Sequence, residues 1–201
     1  MAVKIGYATR PFQGESDCGD QCGWWTTGSR ILMAVADGLG HGPEAAKAAT
    51  AAINGINDHL GYSCEEIFEQ CNKRLHDTRG AALALAMIEP EANRMTIGSV
   101  GNIRVVLIGK SRTLRFGATR GIVGSGYSKL IFESISINPG EVLAMFSDGL
   151  NEDIGIHELL DNSDRSSLDE AQAILDRWAK PEDDAAVLIY RYESFAALNP
   201  V

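Results

Sequence analysis

An α+β fold with antiparallel strands at its core is predicted by three patterns in the chain. An apolar run, Ile31-Leu32-Met33-Ala34-Val35-Ala36, ends in Asp37-Gly38 and passes directly into an alanine-rich stretch of helical spacing. The block from residue 82 to 108 alternates strand-forming runs with turn residues. A second apolar run, Val142-Leu143-Ala144-Met145-Phe146, again ends in Ser-Asp-Gly, at Asp148-Gly149. Buried strands that each deliver a carboxylate to a glycine turn imply one sheet edge where acidic side chains gather.

In chain order, residues 3–8 alternate like a first strand, and residues 10–23 read as a polar loop carrying Glu15, Asp17 and Asp20. Trp24-Trp25-Thr26-Thr27 is rich in strand formers, and Gly28-Ser29-Arg30 turns the chain back into the Asp37 strand. Antiparallel neighbours joined by a short turn bring their outer ends side by side, so Asp20 and Asp37 are expected to share a site. The segment Asp37-Gly38-Leu39-Gly40-His41-Gly42 bends sharply enough to bring a backbone carbonyl close to whatever Asp37 holds.

Residues 43–60 place Ala45, Ala46, Ala49, Ala52, Ile53, Ile56 and Leu60 at helical spacing. Pro43 suits the first helical position, Glu44 meets the positive end of the helix dipole, and Gly61 is expected to stop the helix. Ser63-Cys64-Glu65-Glu66 has the form of a capping box, opening a second helix with Ile67, Phe68, Cys71 and Leu75 on one face. His59 and His76 have no carboxylate or thiol at ligand spacing and read as surface or boundary residues. Residues 82–88, 95–100 and 103–108 then read as an antiparallel meander, with Gly101-Asn102 as a two-residue hairpin turn. The glycine-rich loop 119–126 reads as a flexible connection: a phosphate cradle would open a helix, and the next segment, residues 130–137, looks like a strand. Pro139-Gly140 turns the chain into the Asp148 strand. Ser167-Leu168-Asp169-Glu170 is expected to cap a third helix with Leu168, Ala171, Leu175 and Trp178 on its apolar face. Asp183-Asp184 opens a final strand over residues 185–190. If that strand runs antiparallel to its neighbours, its acidic start meets their acidic ends.

Composition narrows the function. At 201 residues and 45% hydrophobic content the chain can bury a full core, so one domain is expected over residues 1–193, with a short tail at 194–201. No apolar run approaches membrane-spanning length and the start alternates like a strand, so a cytoplasmic protein with no membrane contact is expected. Cys18, Cys22, Cys64 and Cys71 match neither a zinc ribbon nor a disulfide framework and read as free thiols. The net charge of −9 with scattered basic residues argues against nucleic acid as a partner. It accommodates a cation or a basic surface.

Asp20, Asp37, Asp148 and Asp183 are therefore candidates for one cluster. Carboxylates held a few ångströms apart repel strongly, so a cation normally sits among them. A ligand set of oxygen alone favours Mg²⁺ or Mn²⁺ over zinc or copper. Two such ions would lower the pKa of a shared water and clamp a phosphoryl group for attack, with no covalent nucleophile required. Against this stands the possibility that aspartates before glycines are turn residues. Recurrence at three strand ends argues for a site.

In this order, Ser16-Asp17-Cys18-Gly19-Asp20, Val35-Ala36-Asp37-Gly38-Leu39-Gly40-His41-Gly42, Phe146-Ser147-Asp148-Gly149-Leu150 and Asp183-Asp184-Ala185-Ala186-Val187 resemble the PPM family of metal-dependent serine/threonine phosphatases. The DGLGHG form resembles its bacterial SpoIIE-type branch. The likeness spans residues 7–192 and implies a stand-alone catalytic domain, a sandwich of two antiparallel sheets flanked by helix pairs. It also implies two Mn or Mg ions. Asp37 would bridge them, the Gly38 carbonyl would bind one, Asp148 and Asp183 would hold the other, and Asp20 would bind or orient metal water; Asp37 and Asp20 are thus the catalytic candidates. Asp183 is preferred to Asp184, which falls into the strand alternation. The resemblance further implies an enzyme acting on a phosphorylated serine or threonine of a STAS-domain scaffold or antagonist protein in stressosome signalling, and a monomer is expected. Residues 154–169 and the loop 119–128 are the expected contacts. A non-catalytic module of the same fold and a hydrolase of small phosphoesters are the alternatives. Two features depart from the family pattern. Its phosphate-binding arginine before the first motif has no counterpart nearer than Arg10, and Leu39 stands where the family's histidine follows Asp-Gly. His41, two residues later, serves the turn as readily as it would donate a proton.

Overall fold

The computed structural model describes residues 4–151 and 166–193. Twelve strands and three helices are found among them: β1 (Lys4–Arg10), β2 (Asp20–Thr27), β3 (Arg30–Gly38), α1 (Pro43–Asn57), α2 (Cys64–Arg74), β4 (Ala81–Glu89), β5 (Arg94–Val100), β6 (Arg104–Ile108), β7 (Thr113–Phe116), β8 (Gly121–Ile122), β9 (Gly126–Tyr127), β10 (Phe132–Ser136), β11 (Val142–Phe146), α3 (Ser167–Trp178) and β12 (Ala185–Arg191). Two five-stranded antiparallel sheets result. One has the order β1-β12-β11-β6-β7 and the other β10-β5-β4-β3-β2, while β8 and β9 form a separate small ribbon.

Period-two alternation distributes the apolar side chains into layers. Along β3, Ile31, Met33 and Val35 join the core between the sheets, where they meet Leu143 and Met145 of β11 and Leu188 and Tyr190 of β12. The alternate residues Leu32, Ala34 and Ala36 pack against Ala49, Ala52 and Ile56 of α1 and against α2. The other sheet offers its outer residues, among them Ala144, Phe146, Val187 and Ile189, to Ala171, Ile174 and Leu175 of α3. The predicted α+β sandwich is therefore present, with two helices on one outer face and, among the described residues, one on the other.

Local signals account for most boundaries. Pro43 opens α1, and Ser63 with Glu66 makes the reciprocal capping box of α2. Four expectations need correction. The strand β2 begins at Asp20, inside the segment read as loop. Helix α1 ends at Asn57, capped by Asp58, so Gly61 is not its stop. The third helix is capped by Ser166, whose side chain accepts from the Asp169 N–H, and this moves the buried face to Ser167, Glu170, Ala171, Ile174 and Leu175. Leu168 is exposed in consequence, and Glu170, buried, pairs with Arg191 of β12. The fourth correction matters most: Gly101-Asn102 is not a hairpin turn. β5 pairs with β4 and β10, and β6 pairs with β7 and β11, so the chain crosses here from one sheet to the other. Gly101, at φ +96°, donates to the Thr119 carbonyl and lies so close to Ala82 that a Cβ would come within 2.5 Å of its methyl group. The two residues span the gap between the sheets.

The glycine-rich loop is also more constrained than a flexible connection. Val123 and Ala81 exchange backbone hydrogen bonds, and the Gly124 N–H donates to the Asn72 side chain. All four cysteines are free, with Cys64 and Cys71 buried. No helix among the described residues is long and apolar enough to cross a membrane.

Candidate active site

The hairpin of β2 and β3 sets Asp20 directly opposite Asp37 in register, as its turn chemistry predicts. In the other sheet, Asp148 comes just after the end of β11, and Asp183-Asp184 precedes the start of β12, with Phe146 opposite Val187. The ends of β3 and β11 and the start of β12 thus share one edge of the sandwich. A cavity of about 440 Å³ opens there, lined by Asp37, Asp148 and Asp183 together with His41, Asn102 and Ile122.

Behind this cavity lies a second acidic layer. Asp20 and Asp184 are each only 2% exposed, and each has one buried carboxylate oxygen, Oδ2, with no hydrogen-bond partner. The other Asp184 oxygen accepts from the Phe12 N–H at 2.9 Å. Asp37, Asp148 and Asp183 line the cavity, and Asp20 is buried opposite Asp37 in register. Asp184, set aside for its place in the strand alternation, lies in the buried layer, while Asp183 faces the cavity.

Charge on these groups is held at a cost. Burial first, then the neighbouring Asp148 and Asp183, pushes the Asp37 carboxyl up to about 7, against a hydrogen bond from Asn102 that favours its ionised form. Burial and then Asp37 raise Asp20 well above the ordinary carboxylate range, and the Ser147 side chain opposes this. Burial and Asp148 raise Asp183, with the Lys180 ammonium pulling the other way. These shifts give stability a definite dependence on pH. A folded-state carboxyl raised from 3.8 to about 7 stabilises the fold fully below the unfolded value and loses that contribution as pH rises through the folded one. The metal-free protein is accordingly expected to melt at a lower temperature at about pH 8 than at about pH 5. Scanning calorimetry in chelator across that range checks it; a rising or flat profile would refute the strained-cluster reading.

The scaffold around the carboxylates admits little change. A Cβ at Gly38 would stand 2.0 Å from the Ala45 carbonyl oxygen, and one at Gly149 would stand 1.7 Å from that of Asp184. Lys180, three residues ahead of Asp183, is bound to the Asp148 turn: its Nζ donates to the Asp148 carbonyl at 2.7 Å and its N–H to that of Gly149 at 2.8 Å. Arg10 donates to the Lys180 carbonyl. His41 stacks on Phe12, with centroids 4.6 Å apart, and its Nδ1 lies 3.2 Å from Glu15. Sequence reasoning missed Asn102, Ser147 and Lys180. Asn102 was hidden by its resemblance to a turn residue, and the other two carry no periodic signal.

An oxygen-only cluster of this kind suits hard divalent cations, and the two orphaned buried oxygens together with the elevated carboxyls are what such a site presents when judged by its donor chemistry. Among the described residues, the side chains do not already close on one point as a finished coordination shell.

Sandwich and acidic edge together define a phosphatase domain of the PPM type. The chain belongs to the SpoIIE family: the model of Stage II sporulation protein E matches residues 27–193. It is similar to the phosphoserine phosphatase RsbX of Bacillus subtilis (strain 168), with 29% identity over 140 residues, 69% of this chain and 70% of that protein. Among solved structures, a chain described under "The bacterial stressosome: a modular system that has been adapted to control secondary messenger signaling" superposes with a TM-score of 0.91 at 32% identity, covering 95% of this chain and 100% of its own. A crystal structure of RsbX in complex with magnesium gives 0.79 at 24% identity, over 94% and 99% of the two chains. At that identity the likeness to the RsbX structure concerns the fold.

Proposed function

We propose that this chain is a metal-dependent phosphatase that hydrolyses phosphoserine or phosphothreonine on a partner protein, and that the partner is a phosphorylated STAS-domain component of a stress-signalling assembly. The observation that carries the catalytic part is the cavity where Asp37, Asp148 and Asp183 converge, with Asp37 held near a pKa of about 7. Membership of the SpoIIE family and the likeness to a phosphoserine phosphatase support it. The partner rests on the stressosome structure among the neighbours.

The donor set would suit two Mn or Mg ions: Asp37, the Gly38 carbonyl, Asp148 and Asp183 would hold them, and Asp20 would bind or orient metal water. Bound there, divalent cations supply a water that ionises near neutral pH and a positive clamp for phosphoryl oxygens. The chain's own residues position and restrain. Asn102 hydrogen-bonds the Asp37 carboxylate, which fixes its orientation and favours its charged form. Lys180 anchors the Asp148 turn from the segment that leads to Asp183, and its ammonium offsets part of the negative charge of Asp183. Glu15 and Phe12 hold His41 at the rim, a placement that supports shaping of the turn. Arg10 is engaged with Lys180 and does not line the cavity, so phosphate binding would fall to the metals.

Activity is expected to require Mn²⁺ or Mg²⁺ and to vanish on chelation, because carboxylates alone provide no attacking water. Turnover of a phosphopeptide and of a nucleotide, with and without Mn²⁺, separates the protein phosphatase from a small-phosphoester hydrolase and from a non-catalytic module. Hydrolysis that survives exhaustive EDTA treatment would rule the metal mechanism out. Of the segments expected to meet the partner, the loop 119–128 places Ile122 in the cavity wall, and residues 154–165 lie outside the described residues. The chain is proposed to act as one cytoplasmic domain over residues 1–193, as a monomer.

A further inference from the structure

A second cavity, of about 430 Å³, adjoins the acidic one and shares Gly101 and Asn102 with it. Its remaining lining comes mostly from β6 and β7, Arg104, Arg115 and Phe116 among them, with Ile103 and Ala118 at their ends. The topology explains the juxtaposition. The chain crosses between the sheets at Gly101-Asn102 and enters β6 at Arg104, and β7 returns antiparallel to bring Phe116 opposite Val105 and Arg115 opposite Val106. By strand alternation Arg104, Val106 and Arg115 lie on the same face of the sheet. Arg104 is half-buried and reaches back to the Asn102 carbonyl, and Arg115 is exposed. No ion pair of Arg115 is found among the described residues.

The lining of this groove carries two guanidinium groups and no carboxylate, a local exception in a chain of net charge −9. An acidic substrate segment entering the aspartate edge unaided would be repelled. Arginine presents planar, multidentate donors suited to carboxylate and phosphate. We propose that this groove is the docking surface for the polypeptide flanking the phosphorylated residue, and that it selects substrates with acidic side chains next to the phosphoserine or phosphothreonine. This deepens the phosphatase reading above and rests on it. The phosphoryl group is directed to the aspartate cavity, and the acidic flank to Arg115, with Arg104 beside it.

The test compares wild type with Arg115→Gln, Arg115→Lys and the double variant Arg104→Gln/Arg115→Gln. Substrates are para-nitrophenyl phosphate and two phosphoserine peptides, one with acidic and one with neutral flanks, all assayed in Mn²⁺. Wild type is expected to prefer the acidic peptide. In Arg115→Gln, KM for that peptide is expected to rise about 3- to 10-fold with kcat little changed, the double variant to be worse, and Arg115→Lys to recover part of the loss. Turnover of para-nitrophenyl phosphate is expected to stay unchanged. No preference in wild type, or equal losses on all three substrates, would overturn the proposal. If wild type hydrolyses nothing, the phosphatase reading fails by itself. Fluorescence anisotropy of the acidic peptide then decides the groove: weaker binding by Arg115→Gln than by wild type upholds it, and equal binding overturns it.

Discussion

Replacing Asp37 by asparagine is expected to abolish phosphoester turnover while raising the melting temperature of the metal-free protein at about pH 8. The two effects have one origin. Asp37 faces the cavity with Asp148 and Asp183 and stands opposite the buried Asp20, so its negative charge is what cations need and what the bare fold resists. Loss of an outer-sphere partner alone costs roughly 10–100-fold in activity or metal affinity, and a shared ligand is expected to cost more. Asparagine preserves the shape and removes the charge, so the fall in stability between about pH 5 and 8 is expected to flatten. Calorimetry in chelator and Mn²⁺ titration measure the two arms. Destabilisation at pH 8 would mean that Asp37 is not under electrostatic strain. In the same titration, Asp183→Asn is expected to weaken binding far more than Asp184→Asn, and the reverse order would assign the ligand to Asp184.

Gly149→Ala is expected to be the most damaging substitution that leaves every charge in place. The new methyl group would stand 1.7 Å from the Asp184 carbonyl oxygen and 2.8 Å from its carbon, and no rotamer change relieves a clash with backbone. Overpacking of this kind costs about 1–3 kcal/mol where neighbours can shift. Here the neighbour is the turn that carries Asp183, and the glycine belongs to the turn that carries Asp148. Relief by movement therefore separates two cavity carboxylates, and Mn²⁺ affinity is expected to fall along with stability. Gly117→Ala is the control, since a Cβ there meets nothing within 4 Å. A denaturant midpoint for Gly149→Ala matching that of Gly117→Ala would refute the close approach.

Much of this was legible from residues alone, for reasons that can be named. Asp20 and Asp37 were placed together because a short turn fixes hairpin register, and the register is as inferred. The capping box at Ser63 was readable because its partners are three residues apart. Gly101-Asn102 misled because a Gly-Asn pair between apolar strands has the same local chemistry whether the chain folds back or crosses to another sheet. Only the pairing of β6 with β11, far along the chain, distinguishes the two. Leu168 misled by one register position: with Ser166 as the cap, the face moves and Glu170 goes inward to Arg191. The split between a cavity layer and a buried layer of aspartates depends on how two sheets stack, and no local pattern encodes it.

The strand order carries a consequence in time. Among the described residues β1 pairs with β12 alone, and β12 lies between β1 and β11. The strand near the beginning of the chain therefore waits, unpaired in its sheet, until nearly the last of the described residues has been made. The sheet holding Asp37 closes from segments that emerge earlier, residues 20–136. On a growing polypeptide one half of the acidic edge can be in place while Asp183 has yet to leave the ribosome. β12 is thus the strand that completes the pairing of β1 and places the Asp183 turn beside the Asp148 turn.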